Sequence, residues 1–177
     1  MDNPVLDAIY TRRSIREFTK EPVSDEIILE IIRAGMWAPS GLNNQPWRFA
    51  IIKDRNLINR ISELTKYKET VEQAAVLIPV FIDKNAMYNE VKDHQAIGAC
   101  IENMLLAIHS LGLGAVWLGE ILKNATRLRE LLGLKENLEL MAVIAMGHPA
   151  HRNQISTRKS LKEVIVYKPS NLEIKEE

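Results

Sequence analysis

The longest regular pattern in the chain runs from Asp93 to Leu111, where apolar residues cover most of a helical circumference. Gln95, Glu102 and His109 recur every seven positions and leave only a narrow polar seam. A helix apolar nearly all round is buried on several sides, and in a chain of 177 residues that points to a subunit interface as well as a core. Gly112 suits the left-handed position that ends it. Val5, Leu6, Ile9 and Tyr10 give a short helix over 3–11. Ser24, followed by Asp25 and Glu26, starts a second helix that stops near Pro39. "WRFAIIK", "VLIPVFID", "GAVWLG" and "LELMAVIAMG" read as strands, with Pro79 favouring a sheet edge, a bulge or a missing ladder bond. Further helices fall over "DRNLINRISEL", "KETVEQAA" and "NATRLRELLG", the last capped by Asn124 and stopped by Gly133. "SLKEVIVY" fits a short helix or a terminal strand. No repeat or linker interrupts the pattern, so residues 1–177 form one mixed α/β domain, with 168–177 as a polar tail.

Composition narrows the partners. Lys plus Arg and Asp plus Glu both number 23, which argues against nucleic-acid binding. Cys100 is the single cysteine, so no internal disulfide forms and a reducing cytoplasm is the simplest compartment. The N-terminal stretch lacks a signal-peptide layout, and no run reaches the ~18 apolar residues of a membrane span.

Most catalytic signatures are absent, including the G-x-S-x-G elbow, the phosphate-binding loop and the Rossmann fingerprint. His148 and His151 have metal-compatible spacing, but two loop histidines are a weak zinc signal. Cys100 reads as a structural thiol, because reactive cysteines need an exposed, electropositive setting. Two stretches stand out. "RRSIREF" packs Arg12, Arg13, Ser14 and Arg16 together, groups that either hold an anion or form a solvated turn; Arg158 and Lys159 add a second cationic point. "APSGLNNQPWRF" clusters Ser40, Asn43, Asn44 and Gln45 around Gly41. It is a helix end leading into a strand, with amides dense enough to read the edge of a heterocycle. The residues alone reach as far as a phosphorylated ligand.

Together, "AIYTRRSIREF", "WAPSGLNNQPWRF", "GLGAVWLG", "MGHPA" and "TRKSLKEVI" resemble, in order and spacing, the nitroreductase family of FMN-dependent oxidoreductases. The resemblance covers essentially the whole chain. It implies an α+β sandwich, with a central, mainly antiparallel sheet flanked by helices, in an interlocked homodimer with two interfacial FMN sites. It implies NADH or NADPH as electron donor, ping-pong hydride chemistry carried by the flavin, and a small-molecule acceptor such as a nitro compound or quinone. Arg12, Ser14 and Arg158, with Lys159 nearby, would hold the phosphate, and Arg13 would lie alongside through its backbone. Arg16 would reach the pyrimidine side of the ring. Pro39, Ser40, Gly41 and Asn43 would come from the other subunit, and Gly119, beside Leu118, would offer an N–H toward flavin N5. No catalytic side chain or metal is implied.

The chain departs from the family pattern in a brief 86–93 connection, a short tail and Ser156 where a second cation is sometimes found. Lys66 and Lys68 are possible pyrimidine contacts that match no motif. A non-catalytic flavin-binding redox sensor or carrier is the alternative reading, and a flavin-free interaction module a third.

Overall fold

The computed structural model describes residues 3–174. Helices α1 (Pro4–Thr11) and α2 (Asp25–Met36) come first, followed by strand β1 (Trp47–Phe49), helices α3 (Arg55–Ser62) and α4 (Lys68–Gln73), and β2 (Val76–Asp83). Then come α5 (Glu90–Ser110), β3 (Gly114–Leu118), α6 (Ala125–Leu131), β4 (Leu138–Gly147) and α7 (Leu161–Val164). The strands form one antiparallel sheet in the order β1-β2-β4-β3.

Alternation along the two central strands splits the core into two layers. Val76, Ile78, Val80 and Ile82 of β2 point to one face, with Ile28 and Ile31 of α2 and Ile97, Ile101 and Met104 of α5. Leu77 and Phe81 point to the other, where Ile58, Ile61, Val71 and Leu128 cover the sheet. Helices therefore lie on both faces of the sheet, as the resemblance implies.

Pro79 sits on an interior strand, not an edge. The irregularity expected of it lies one residue on. Val80 pairs with Ala142 and Phe81 with Leu140, which leaves Met141 as the extra residue of a bulge. The Pro79 carbonyl still accepts from Ala50 N–H at 3.1 Å.

Helix α5 starts three residues before its expected bound, where Asn89 Oδ1 accepts from Lys92 N–H at 3.0 Å. Its inner face meets α2 closely. A Cβ on Gly35 would come within 2.6 Å of the Met104 side chain, so glycine permits this contact. Cys100 is buried between these elements, and desolvation pushes its thiol up to about 12, which removes it as a nucleophile at neutral pH. Gly112 and Gly133 take the expected left-handed conformations, with φ of 77° and 65°. Asn124 does not cap α6 as its sequence position suggests. Its amide donates to the Leu64 carbonyl at 2.8 Å, and the helix is entered from a 3₁₀ turn over Glu120–Asn124.

The outward surface is unusually apolar. Helix α1 buries none of its residues and exposes Val5, Ile9 and Tyr10. Among the described residues after β4 the only helix or strand is the short α7, with reciprocal Ser160–Glu163 capping, and Ile155, Val166 and Tyr167 stand in solvent. No described helix is long and apolar enough to cross a membrane.

Candidate functional site

The arginine stretch is seated by two buried neighbours. Ile15 N–H donates to the Ala115 carbonyl at 2.9 Å, so residues 14–15 run alongside the edge strand β3. Ile15 and Phe18 turn inward, and Arg16 and Glu17 between them are exposed. Gly114 makes this possible, because a Cβ there would lie 2.8 Å from the Ile15 side chain.

Arg12, Arg13, Ser14 and Arg16 then line a cleft of about 400 Å³ with Ser156 and Arg158. The opposite wall comes from the stretch after β4, roughly 140 residues on in sequence. No carboxylate lines this cleft among the described residues. Arg158 Nη1 donates to Ser156 Oγ at 3.1 Å and to the Thr157 carbonyl at 2.9 Å, so Ser156 orients a cation in place of supplying one. Arg13 Nη1 turns back to the carbonyls of Tyr10 and Arg12, at 2.7 and 2.8 Å. Its Nε–H is buried and has no hydrogen-bond partner among the described residues. Arg12 lies 3.7 Å from Glu102 Oε1. Lys159 is exposed and lies outside the cleft lining.

The second stretch forms a separate cleft of about 240 Å³, where Pro39, Ser40 and Gly41 face Lys92, Gln95 and Ala99 of α5. Leu42, Asn43 and Gln45 all have positive φ, between 48° and 55°, which non-glycine residues rarely adopt. Asp93 holds this strained loop. Fully buried, it accepts from Asn44 Nδ2 at 2.7 Å, Asn89 N–H at 2.8 Å and Tyr88 N–H at 2.9 Å. Desolvation pushes its pKa up, but the bonds from Asn89, Asn44 and Tyr88 outweigh that and hold it below the ordinary value. One sequence expectation changes here. Asn44 acts as a structural strut, its amide nitrogen also bonded to the Ala86 carbonyl at 2.9 Å and so committed within the protein. The close approach permitted by Gly41 is to Tyr88, whose hydroxyl lies 2.0 Å from where a Cβ would stand.

Gly119 ends β3 beside buried Leu118, and a Cβ there would meet nothing within 4 Å, so this backbone borders open space. Glu120, a residue that sequence reasoning missed, organises the surroundings. It accepts from Thr65 Oγ1 at 2.7 Å, from Lys66 N–H at 3.1 Å and from Lys123, and these bonds lower its pKa to about 2. The 65–66 turn is thereby fixed beside Gly119. Lys68 instead pairs with Glu63 and Glu72 and is held away.

The polar seam of α5 now has a meaning. Gln95 lines the loop cleft, Glu102 pairs with Arg12, and His109 Nε2 meets Thr11 Oγ1 at 2.8 Å. Within one protomer, the two clefts share no lining residue. A larger cleft, about 660 Å³, lies between Phe18–Val23 and the end of α4. Two of its cations are committed: Lys53 to Asp25, and Arg55 to the carbonyls of Ala74 and Glu72. The chemistry concentrates in the smaller arginine cleft.

Comparison with known proteins agrees with this geometry. The nitroreductase family model matches residues 9–67 and 62–148. A relative from Archaeoglobus fulgidus, assigned as an NADH dehydrogenase/NAD(P)H nitroreductase, is 40% identical over 147 residues, covering 81% of this chain and 84% of the relative. A Desulfovibrio desulfuricans protein, assigned as a nitroreductase and solved in complex with FMN, superposes with a TM-score of 0.91 at 52% identity, covering 96% of this chain and 99% of that one. The NADPH:FMN oxidoreductase of Vibrio harveyi, solved with NAD+, gives a TM-score of 0.86 at 28% identity, covering 98% of this chain and 80% of that one. The chain belongs to the nitroreductase family.

Proposed function

We propose that this chain is an NAD(P)H-dependent flavin oxidoreductase whose arginine cleft holds the phosphate of FMN, and that it reduces nitro compounds, quinones or related acceptors. The observation that carries this reading is a cleft with four guanidinium groups, no lining carboxylate among the described residues and an unpartnered buried Arg13 N–H. Guanidinium forks match phosphate oxygens, and Ser14 adds a hydroxyl donor. The relatives named as nitroreductases and as an FMN oxidoreductase support the choice of FMN.

Arg12, Ser14 and Arg158 would bind the phosphate, with Arg13 alongside and Arg16 toward the pyrimidine side of the ring. Gly119, next to open space, would offer its backbone N–H. Bound FMN supplies hydride transfer between NAD(P)H and the acceptor, so the chain needs no acid–base pair of its own. The loop 39–43 would complete the site from a second copy. The separation of the two clefts within one protomer and the exposed apolar residues of α1 and 155–167 support that arrangement. The whole chain acts as one domain, and its single buried cysteine suits the cytoplasm.

The test is the visible spectrum of the purified protein, followed by anaerobic titration with NADH and with NADPH. The expected result is a yellow protein with about one FMN per chain, bleached by at least one of the two nucleotides. A protein that takes up no FMN overturns the reading. A flavin that neither nucleotide reduces overturns the enzymatic part alone.

A further inference from the structure

We infer that His109 is the positioning residue that holds both walls of the phosphate cleft together, through one fixed tautomer. This deepens the reading above and rests on it. The argument begins at Thr11, whose hydroxyl donates to the Asp7 carbonyl at 2.7 Å. A hydroxyl has one proton to give. At its 2.8 Å contact with His109 Nε2, Thr11 Oγ1 therefore accepts, and Nε2 carries the ring proton. In a neutral imidazole Nδ1 is then a lone-pair acceptor. The group facing it is Arg152 Nη1, at 3.5 Å, and a guanidinium can only donate.

Each partner belongs to a different wall. Thr11 immediately precedes Arg12. Arg152 donates through Nη2 to the carbonyls of Gly112 and Leu113, at 2.7 and 3.1 Å, and so pins the chain just before Gln154–Arg158 to the end of α5. One ring thus ties the 12–16 wall to the 154–158 wall.

The surroundings keep that ring neutral. The groups facing it are Asp7 from α1, Arg12 and Arg13 from the segment after it, and Arg152 from the stretch after β4, while Glu102 of α5 pairs with Arg12. Burial, then Arg152, then Arg12 lower the His109 pKa; Asp7 opposes them and Arg13 adds to them. Protonation would place an N–H on Nδ1 against the Arg152 guanidinium, setting donor against donor and cation against cation. The folded ring binds a proton less readily than the unfolded one. Stability and cleft closure therefore rise with pH between its lowered value and the ordinary 6.5.

The test is the ratio of riboflavin to FMN dissociation constants for the full chain, scanned from about pH 7.5 to about pH 5. It is run on wild type and on His109→Gln. The FMN phosphate itself loses charge over this range, so both proteins lose some preference. The expected result is a variant ratio that starts lower, and a wild-type ratio that falls roughly tenfold further than the variant's. Parallel declines overturn the inference. A wild-type ratio near unity at the alkaline end overturns the phosphate assignment beneath it. If His109→Gln does not fold, long-range nitrogen NMR of wild-type His109 decides: an Nε2–H tautomer is expected, and an Nδ1–H tautomer overturns the proposal.

Discussion

The arginine cleft and the 40–45 loop meet the same helix, yet they satisfy their polar groups in opposite ways. The loop carries strained residues at 42, 43 and 45 and is held from within, since the buried Asp93 carboxylate takes three donors. The cleft is left open to the outside. Its cations converge with no lining carboxylate among the described residues, and Arg13 Nε has no partner. A ligand therefore adds binding energy at the cleft, whereas the loop's donors are already held by Asp93, and among the described residues Asn44 Oδ1 is its one buried side-chain polar atom left unpaired. Substitutions in the loop are expected to act on stability, and those in the cleft on affinity.

The largest effect is expected at Asp93. Asp93→Ala strands three donors, two of them backbone amides, and an unsatisfied buried donor costs about 1–3 kcal/mol. Urea unfolding should show a loss of at least about 3 kcal/mol; a loss within ~0.5 kcal/mol, as for an ordinary surface change, would remove Asp93 from this account. The same group gives a pH signature. Its folded pKa lies below the ordinary 3.8, so its contribution is complete above that value and is lost as pH falls through the lowered one. Melting temperatures of wild type and Asp93→Asn should therefore converge on acidification, and a constant gap would contradict the assignment.

Next in size is the cleft. Arg158→Ala is expected to weaken FMN by about 1.5–3 kcal/mol, roughly tenfold to hundredfold, and to leave riboflavin binding unchanged. Fluorescence titration of both flavins checks this, and equal losses would show that Arg158 does not meet the phosphate. Among the described residues its guanidinium bonds only to Ser156 and the Thr157 carbonyl, so the melting curve should barely move. Gly114→Ala blurs the contrast on purpose, because it presses on Ile15, which seats the arginine segment. Overpacking of this kind costs about 1–3 kcal/mol, and here FMN affinity should fall with stability. A variant with full stability and full affinity would show that the Ile15–Gly114 contact can yield.

These regions were unequally legible in the sequence. The helix over 93–111 and the four strands follow from periodicity, which is a local signal. The Arg12–Arg16 cluster is likewise dense enough to notice, and Arg158 adds a charge of the same sign far along the chain. Asp93, by contrast, looks like any first-turn helix acid until folding brings Asn44 against it. Asn44 looks like a ligand reader until the same contact uses its amide. Glu120 escapes notice and His109 reads only as part of a polar seam for the same reason, since their partners Thr65, Lys66, Thr11 and Arg152 lie far off in sequence. Pro79 shows a subtler limit. Sequence expects a defect in the ladder, but only the partner strand fixes where Met141 bulges.

The smallest effect separates two arginines four positions apart. In the proposed site Arg12 would face the phosphate, whose charge is the same in both redox states, so Arg12→Ala should lower occupancy without moving the midpoint potential. Arg16, proposed to lie toward the pyrimidine, would meet charge that appears on reduction. Arg16→Ala should lower the two-electron potential by roughly 30 mV for each ~1.4 kcal/mol of differential loss. Spectroelectrochemical titration of both variants saturated with FMN decides, and equal shifts would erase the division of roles.

The central claim, that the arginine cleft exists to hold a phosphate, is tested most directly by calorimetric titration of the flavin-free wild type with FMN and with riboflavin at neutral pH. The two ligands differ only in the phosphoryl group. With two or more charge-assisted hydrogen bonds to that group, the account predicts at least a hundredfold preference for FMN, or about 3 kcal/mol. Equal affinity would contradict it.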